Sequence, residues 1–202
     1  MTFFATKSRI TGNFKNVPGF NIPENPQDRF PWYGQGRTIN ITYTWGSSEA
    51  DLDTRTYLIA PFGSVGGVMG WNYASGVSGI ATWSGDDTGY GGSEYVTIYL
   101  DPLVLLTGYI ETSEYVNSPS DLWLDIHMGA YFYGRYVDPD GDEGPLPPEP
   151  RDPSRNATFN YTIQTFSQTS SFSQTATHRE FVGIGINEFA TYRIDLLTGF
   201  II

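Results

Sequence analysis

Residues 38–45, TINITYTW, alternate polar and apolar side chains without a break. A period of two puts Ile39, Ile41, Tyr43 and Trp45 on one face of an extended chain, which fits a half-buried strand and not an amphipathic helix. The pattern returns in residues 94–100, with Val96, Ile98 and Leu100 inward, and in residues 122–132, where Leu122, Leu124, Ile126 and Met128 share a face. Residues 159–164 and 189–196 are further strand candidates, and residues 56–60 and 71–73 are shorter ones. The 23 Gly and 13 Pro fall between these runs as turn formers. Only residues 101–116 have room for a short helix, and Pro, Gly and Thr weaken even that segment. The pattern predicts an all-β chain, a two-sheet β-sandwich.

Composition sets the scale of that sandwich. With 39% hydrophobic and 16% aromatic residues among 202, there is enough apolar surface for one sizeable core, so wholesale disorder is not expected. Cysteine is absent, which removes disulfides, thiolate metal sites and cysteine nucleophiles together. A net charge of −11 would repel a phosphate backbone or an anionic membrane, so neither nucleic acid nor a membrane surface is an expected partner. No apolar run approaches the ~18 residues of a membrane span, and MTFFATKSRITGNF lacks the apolar stretch of an export signal. A virion or cytoplasmic location is the expectation.

Two stretches break the strand pattern. Residues 12–36 carry Pro18, Pro23, Pro26 and Pro31 together with Phe14, Phe20, Phe30 and Trp32. Four prolines exclude a central strand, while the aromatic content is high for a solvated linker. Residues 1–36 are therefore expected to form an extended N-terminal arm preceding a sandwich at 37–202. Residues 138–153, DPDGDEGPLPPEPRDP, are acidic and proline-rich and read as an exposed loop. Asp138, Asp140 and Asp142 resemble the opening of a calcium loop, but the Gly and Glu spacing of an EF-hand is missing, and a solvated loop is the better reading.

The carboxylates outside that loop are more informative. Asp51 and Asp53 flank Leu52, so if Leu52 faces the core the two acids point away together. Asp86 and Asp87 open a glycine-rich turn that closes on Glu94 at the start of a strand. Five such carboxylates drawn together would repel one another without a cation, and calcium accepts six to eight mixed oxygen ligands. Asp51, Asp53, Asp86, Asp87 and Glu94 are the expected metal ligands, and Ca2+ the expected cofactor.

The runs ADLDTRTYLI (residues 50–59) and MGWNYASGVSGIATWSGDDTGYGGSE (residues 69–94), followed by a V-x-I-x-L strand, resemble the TerD-like domain of tellurite-resistance-type stress proteins. The DLD…D-x-T-G-Y-G-x-x-E pattern is also similar to a periplasmic β-sandwich family of the YfaP type. The resemblance covers residues 43–134 and resumes weakly at 179–199. It implies a calcium-binding sandwich with the ion on Asp53, Asp86, Asp87 and Glu94, joined by Asp51. The acidic loop is shorter than the family's and lacks a second acidic pair, which implies the loss of one of two calcium sites.

Other chemistry is thin. His127 and His178 have no second histidine nearby in sequence, and no G-x-S-x-G elbow supports a serine nucleophile. Trp71, Trp83 and Trp123 could stack on sugars, but core packing explains them better. The expected function is a non-enzymatic calcium-binding structural or interaction protein: a virus-particle component (capsid decoration, neck or tail) that assembles through its arm as a homo-oligomer or larger assembly. A TerD-like stress protein and a carbohydrate-binding sandwich are the alternatives.

Overall fold

A computed structural model describes residues 27, 30–46, 51–61, 63–89, 91–106, 122–132, 156–177 and 188–202. Its elements in chain order are β1 (Thr38–Trp45), β2 (Leu52–Ala60), β3 (Gly63–Ser64), β4 (Met69–Gly70), β5 (Gly76–Val77), β6 (Ala81–Trp83), β7 (Ser93–Tyr99), α1 (Leu100–Leu106), β8 (Trp123–Phe132), β9 (Asn156–Gln164), β10 (Thr169–Thr177) and β11 (Glu188–Asp195). The strands form two antiparallel sheets, as the alternation predicts. One runs β10-β9-β1-β7-β6-β5; the other runs β11-β8-β2-β3, with β4 also paired to β2. No helix among the described residues is long and apolar enough to cross a membrane.

The inward faces are those the period of two assigns. Ile39, Ile41, Tyr43 and Trp45 from β1 are buried, as are Val96, Ile98 and Leu100 from β7 and α1, and Leu122, Leu124, Ile126 and Met128 on and beside β8. β1 lies centrally in its sheet, paired to β7 on one side and β9 on the other. β2 is central in the second sheet and buried from Leu52 through Thr56, with no alternation in exposure. Its two faces meet different cover. The Thr56 hydroxyl reaches Tyr43 across the sandwich at 3.3 Å, whereas Arg55 lies against the rings of Tyr73 and Tyr131, 5.0 and 4.8 Å from their centroids.

Two local expectations change, and one open reading is resolved. Residues 71–73 form a turn, and the short strand falls just before them as β4. The polar segment 164–177 reads from its Ser, Thr and Gln as strand edge or loop, and most of it is the edge strand β10, which pairs with β9 over its full length. Of the residues assigned to the arm, Phe30 and Trp32 are buried in the core, where the Trp32 ring packs on Phe166 at 5.2 Å. The sandwich thus recruits chain from residue 30 onward. Residues 1–26, the loop at 138–153 with Asp138, Asp140 and Asp142, and His178 lie outside the described residues.

Candidate metal centre

The cluster is built where β2 begins. Asp51 precedes the strand with φ of 55°, a left-handed conformation that Asp tolerates better than most residues. Leu52 then turns into the core, fully buried, and Asp53 follows as the second residue of the strand. The third carboxylate, Asp86, comes from the β6–β7 loop of the other sheet. One oxygen from each of Asp51, Asp53 and Asp86 lies within 4.8 Å of the other two. Two oxygens on opposite sides of one calcium ion, each about 2.4 Å from it, would be separated by about that distance. The three therefore fit around a single ion.

Burial makes the cluster costly without one. Asp51 is 6% exposed and Asp53 1%, while Asp86 is open to solvent. Asp53 Oδ2 is buried with no hydrogen-bond partner. Desolvation, with the charges of Asp51, Asp86 and Glu94, pushes the Asp53 carboxyl up to about 8, against a smaller opposing pull from Arg55. Asp86 is raised too, by its partial burial and by neighbouring Asp87. The metal-free fold therefore favours a proton on Asp53 at neutral pH, and a divalent cation would displace it. All-oxygen carboxylate donors suit a hard cation such as calcium.

Asp87 and Glu94 do different work from the three cluster residues. The Asp87 carboxylate accepts the backbone N–H groups of Gly89 (3.0 Å) and Ser93 (2.9 Å) and so shapes the loop; it is not among the three carboxylates whose oxygens lie within 4.8 Å of one another. Gly92 is needed beside it: a Cβ there would lie 2.4 Å from the Trp45 ring and 2.8 Å from Asp87 Oδ2. The loop is fastened to β1 by the Trp45 indole N–H on the Gly89 carbonyl (2.9 Å) and the Gly91 N–H on the Gly46 carbonyl (3.1 Å).

Glu94 is fully buried between the sheets. Its Oε2 accepts the Thr54 hydroxyl and backbone N–H (3.3 Å) and the Trp83 indole N–H (3.1 Å); its Oε1 accepts the Asp87 N–H at 3.4 Å. Burial raises this carboxyl to about 7, although those hydrogen bonds pull the other way. Glu94 thus joins β7, β2 and β6 and stands behind the aspartates as a hydrogen-bonded hub. Its place follows from alternation, since residue 94 shares the face of Val96 and Ile98. Thr54 and Trp83, its partners, have no spacing signal that marks them.

The other candidate chemistry is dispersed. His127 lies on the outer face of β8, its ring near Tyr57 and its Nδ1 3.2 Å from the Thr191 hydroxyl. Trp83 is committed to Glu94, and Trp123 is covered by the Arg193 guanidinium, 3.9 Å above its ring. Comparison of the chain with protein-family models, curated proteins and solved structures finds no match.

Proposed function

We propose that this chain is a non-enzymatic structural module whose sandwich is locked by one calcium ion on Asp51, Asp53 and Asp86. The observation that carries the reading is the Asp53 carboxylate, buried, lacking a hydrogen-bond partner at Oδ2 and aimed at two more aspartates. A structural role follows from where the ligands originate. Asp51 and Asp53 belong to the β2 end of one sheet and Asp86 to a loop of the other, so a shared cation would cross-link the sheets. Loop and water oxygens would complete the shell that calcium requires. Within this reading the aromatic, proline-rich segment before Phe30 serves contacts with partner subunits, as in a virus-particle component. The support for that part is its composition.

Calorimetric titration of metal-free protein with calcium tests the site. One ion per chain is expected for wild type and none for Asp53→Asn. Magnesium, which prefers a smaller octahedral shell and keeps its water, is expected to bind more weakly. Saturating calcium with no heat and no competition against a chelating dye would overturn the proposal.

A further inference from the structure

An exposed strand edge offers a row of free backbone donors and acceptors, and proteins usually blunt such edges with charge, proline, bulges, shortness or a covering segment. Most edges of this sandwich are blunted in that way. β5, β3 and β4 are two residues each. β11 has a register shift between Glu188 and Ala190, carries charged Arg193 and Asp195, and is capped by the C-terminal residues. The Asp195 N–H donates to the Phe200 carbonyl, and the Ile202 N–H to the Arg193 carbonyl, both at 2.9 Å.

Among the described residues β10 has none of these devices. It is nine residues long, contains no proline, and pairs with β9 without a register shift. Residues 156–177, the whole β9–β10 hairpin, contain no charged side chain in a protein of net charge −11. The hairpin is also held firmly. Its tip is fastened by the Ser167 hydroxyl to the Thr198 carbonyl and by Phe166 against Trp32, and its two strands are held together midway by Phe172 stacked on Tyr161 at 5.0 Å. Among the described residues nothing pairs with its outer side.

The register identifies the free groups. The Thr165 N–H donates to the Gln168 carbonyl at 2.8 Å, so 165 and 168 form a hydrogen-bonded pair, and the alternation of an antiparallel ladder follows from there. Ser170, Phe172, Gln174 and Ala176 direct their backbone groups to β9. Thr169, Ser171, Ser173, Thr175 and Thr177 direct theirs outward. That outward set is self-complementary about Ser173: an antiparallel second copy would place Ser173 against Ser173, Ser171 against Thr175 and Thr169 against Thr177, every outward group finding a partner.

We propose that β10 is a homodimer interface, two copies pairing antiparallel edge to edge about Ser173 to make one continuous sheet. The contact is isologous and closes on itself, so it ends the edge rather than propagating it. A second copy is favoured over an unrelated peptide because the outward residues match themselves. The absence of charge along the hairpin also lets two acidic chains approach there without local repulsion.

Sedimentation velocity of the full chain over a range of concentrations tests this, together with residue-resolved amide exchange. Wild type is expected to be dimeric, with the amides of Ser171, Ser173 and Thr175 protected in the dimer and losing protection on dilution, while those of Phe172 and Gln174 stay protected throughout. Ser173→Pro removes an outward donor and no bond to β9. Ser173→Lys puts like charges opposite each other on the exposed face. Both are expected to halve the sedimenting mass with the melting temperature kept, and the lysine variant decides if the proline variant misfolds. A wild-type monomer at all concentrations, a dimer that survives Ser173→Lys, or outward amides that exchange freely in the dimer would each overturn the proposal.

Discussion

At the scale of single residues, the centre is governed by the cost of putting a carboxylate where water cannot reach. Asp53 and Glu94 have ordinary unfolded values of 3.8 and 4.5, raised in the fold to about 8 and about 7. A raised carboxyl means the folded chain binds more protons than the unfolded one. The associated stability is complete below about pH 4 and is lost as pH rises toward 8. In chelator, wild type is therefore expected to melt at a higher temperature at pH 5 than at pH 8, and Asp53→Asn, which has no charge to bury, to show a smaller fall. Melting curves of the two proteins at both pH values check this, and equal falls would contradict it. Glu94 separates from the aspartates in another experiment. Glu94→Ala strands the buried donors of Thr54, at about 1–3 kcal/mol each, and frees the partly buried Trp83 indole N–H at a smaller cost. It should lower the melting temperature by a similar amount in calcium and in chelator, whereas loss of a ligand would act mainly in calcium.

At the scale of elements, the strands were legible wherever one face is buried and the other wet, since that condition writes a period of two into the side chains. β1, β7 and β8 show it. The strand pattern of β2 is clear only from residue 56, because Leu52 to Thr56 are all buried and carry no polar–apolar alternation. β10 was ambiguous because Ser, Thr and Gln serve an edge strand and a loop equally well. In the candidate site, the pairing of Asp51 with Asp53 about Leu52 was legible. The diversion of Asp87 into its own loop was not, because hydrogen bonds to Gly89 and Ser93 depend on how the turn closes. The arm was misjudged at its end for a related reason: Pro31 marks an irregular segment, and irregular segments can still bury aromatic rings. Phe30 is 1% exposed against the core. Phe30→Ala is expected to cost about 3–5 kcal/mol, measurable by denaturant unfolding; a cost below about 1 kcal/mol would mean that the segment merely lies on the surface.

At the scale of the whole molecule, the sandwich has two kinds of tie between its sheets. The apolar core and the Glu94 hub need no ligand, whereas the aspartate cluster would tie the sheets only through the proposed ion. Removing residues 1–26 is expected to leave melting and calcium binding unchanged while weakening assembly beyond the dimer, and light scattering with calorimetry would show both. Removing residues 1–36 also removes Phe30 and Trp32 and should destabilise the fold. The most direct measurement of the central claim is the melting temperature of the full-length, metal-free protein with calcium and with chelator, for wild type and for Asp86→Ala. Calcium at about one hundred times its dissociation constant adds about 2.7 kcal/mol, or roughly 5–10 °C for a chain of this size. A rise of that order in wild type, largely lost in Asp86→Ala, is the expected result, and identical melting curves with calcium and chelator in wild type would contradict a calcium-locked sandwich.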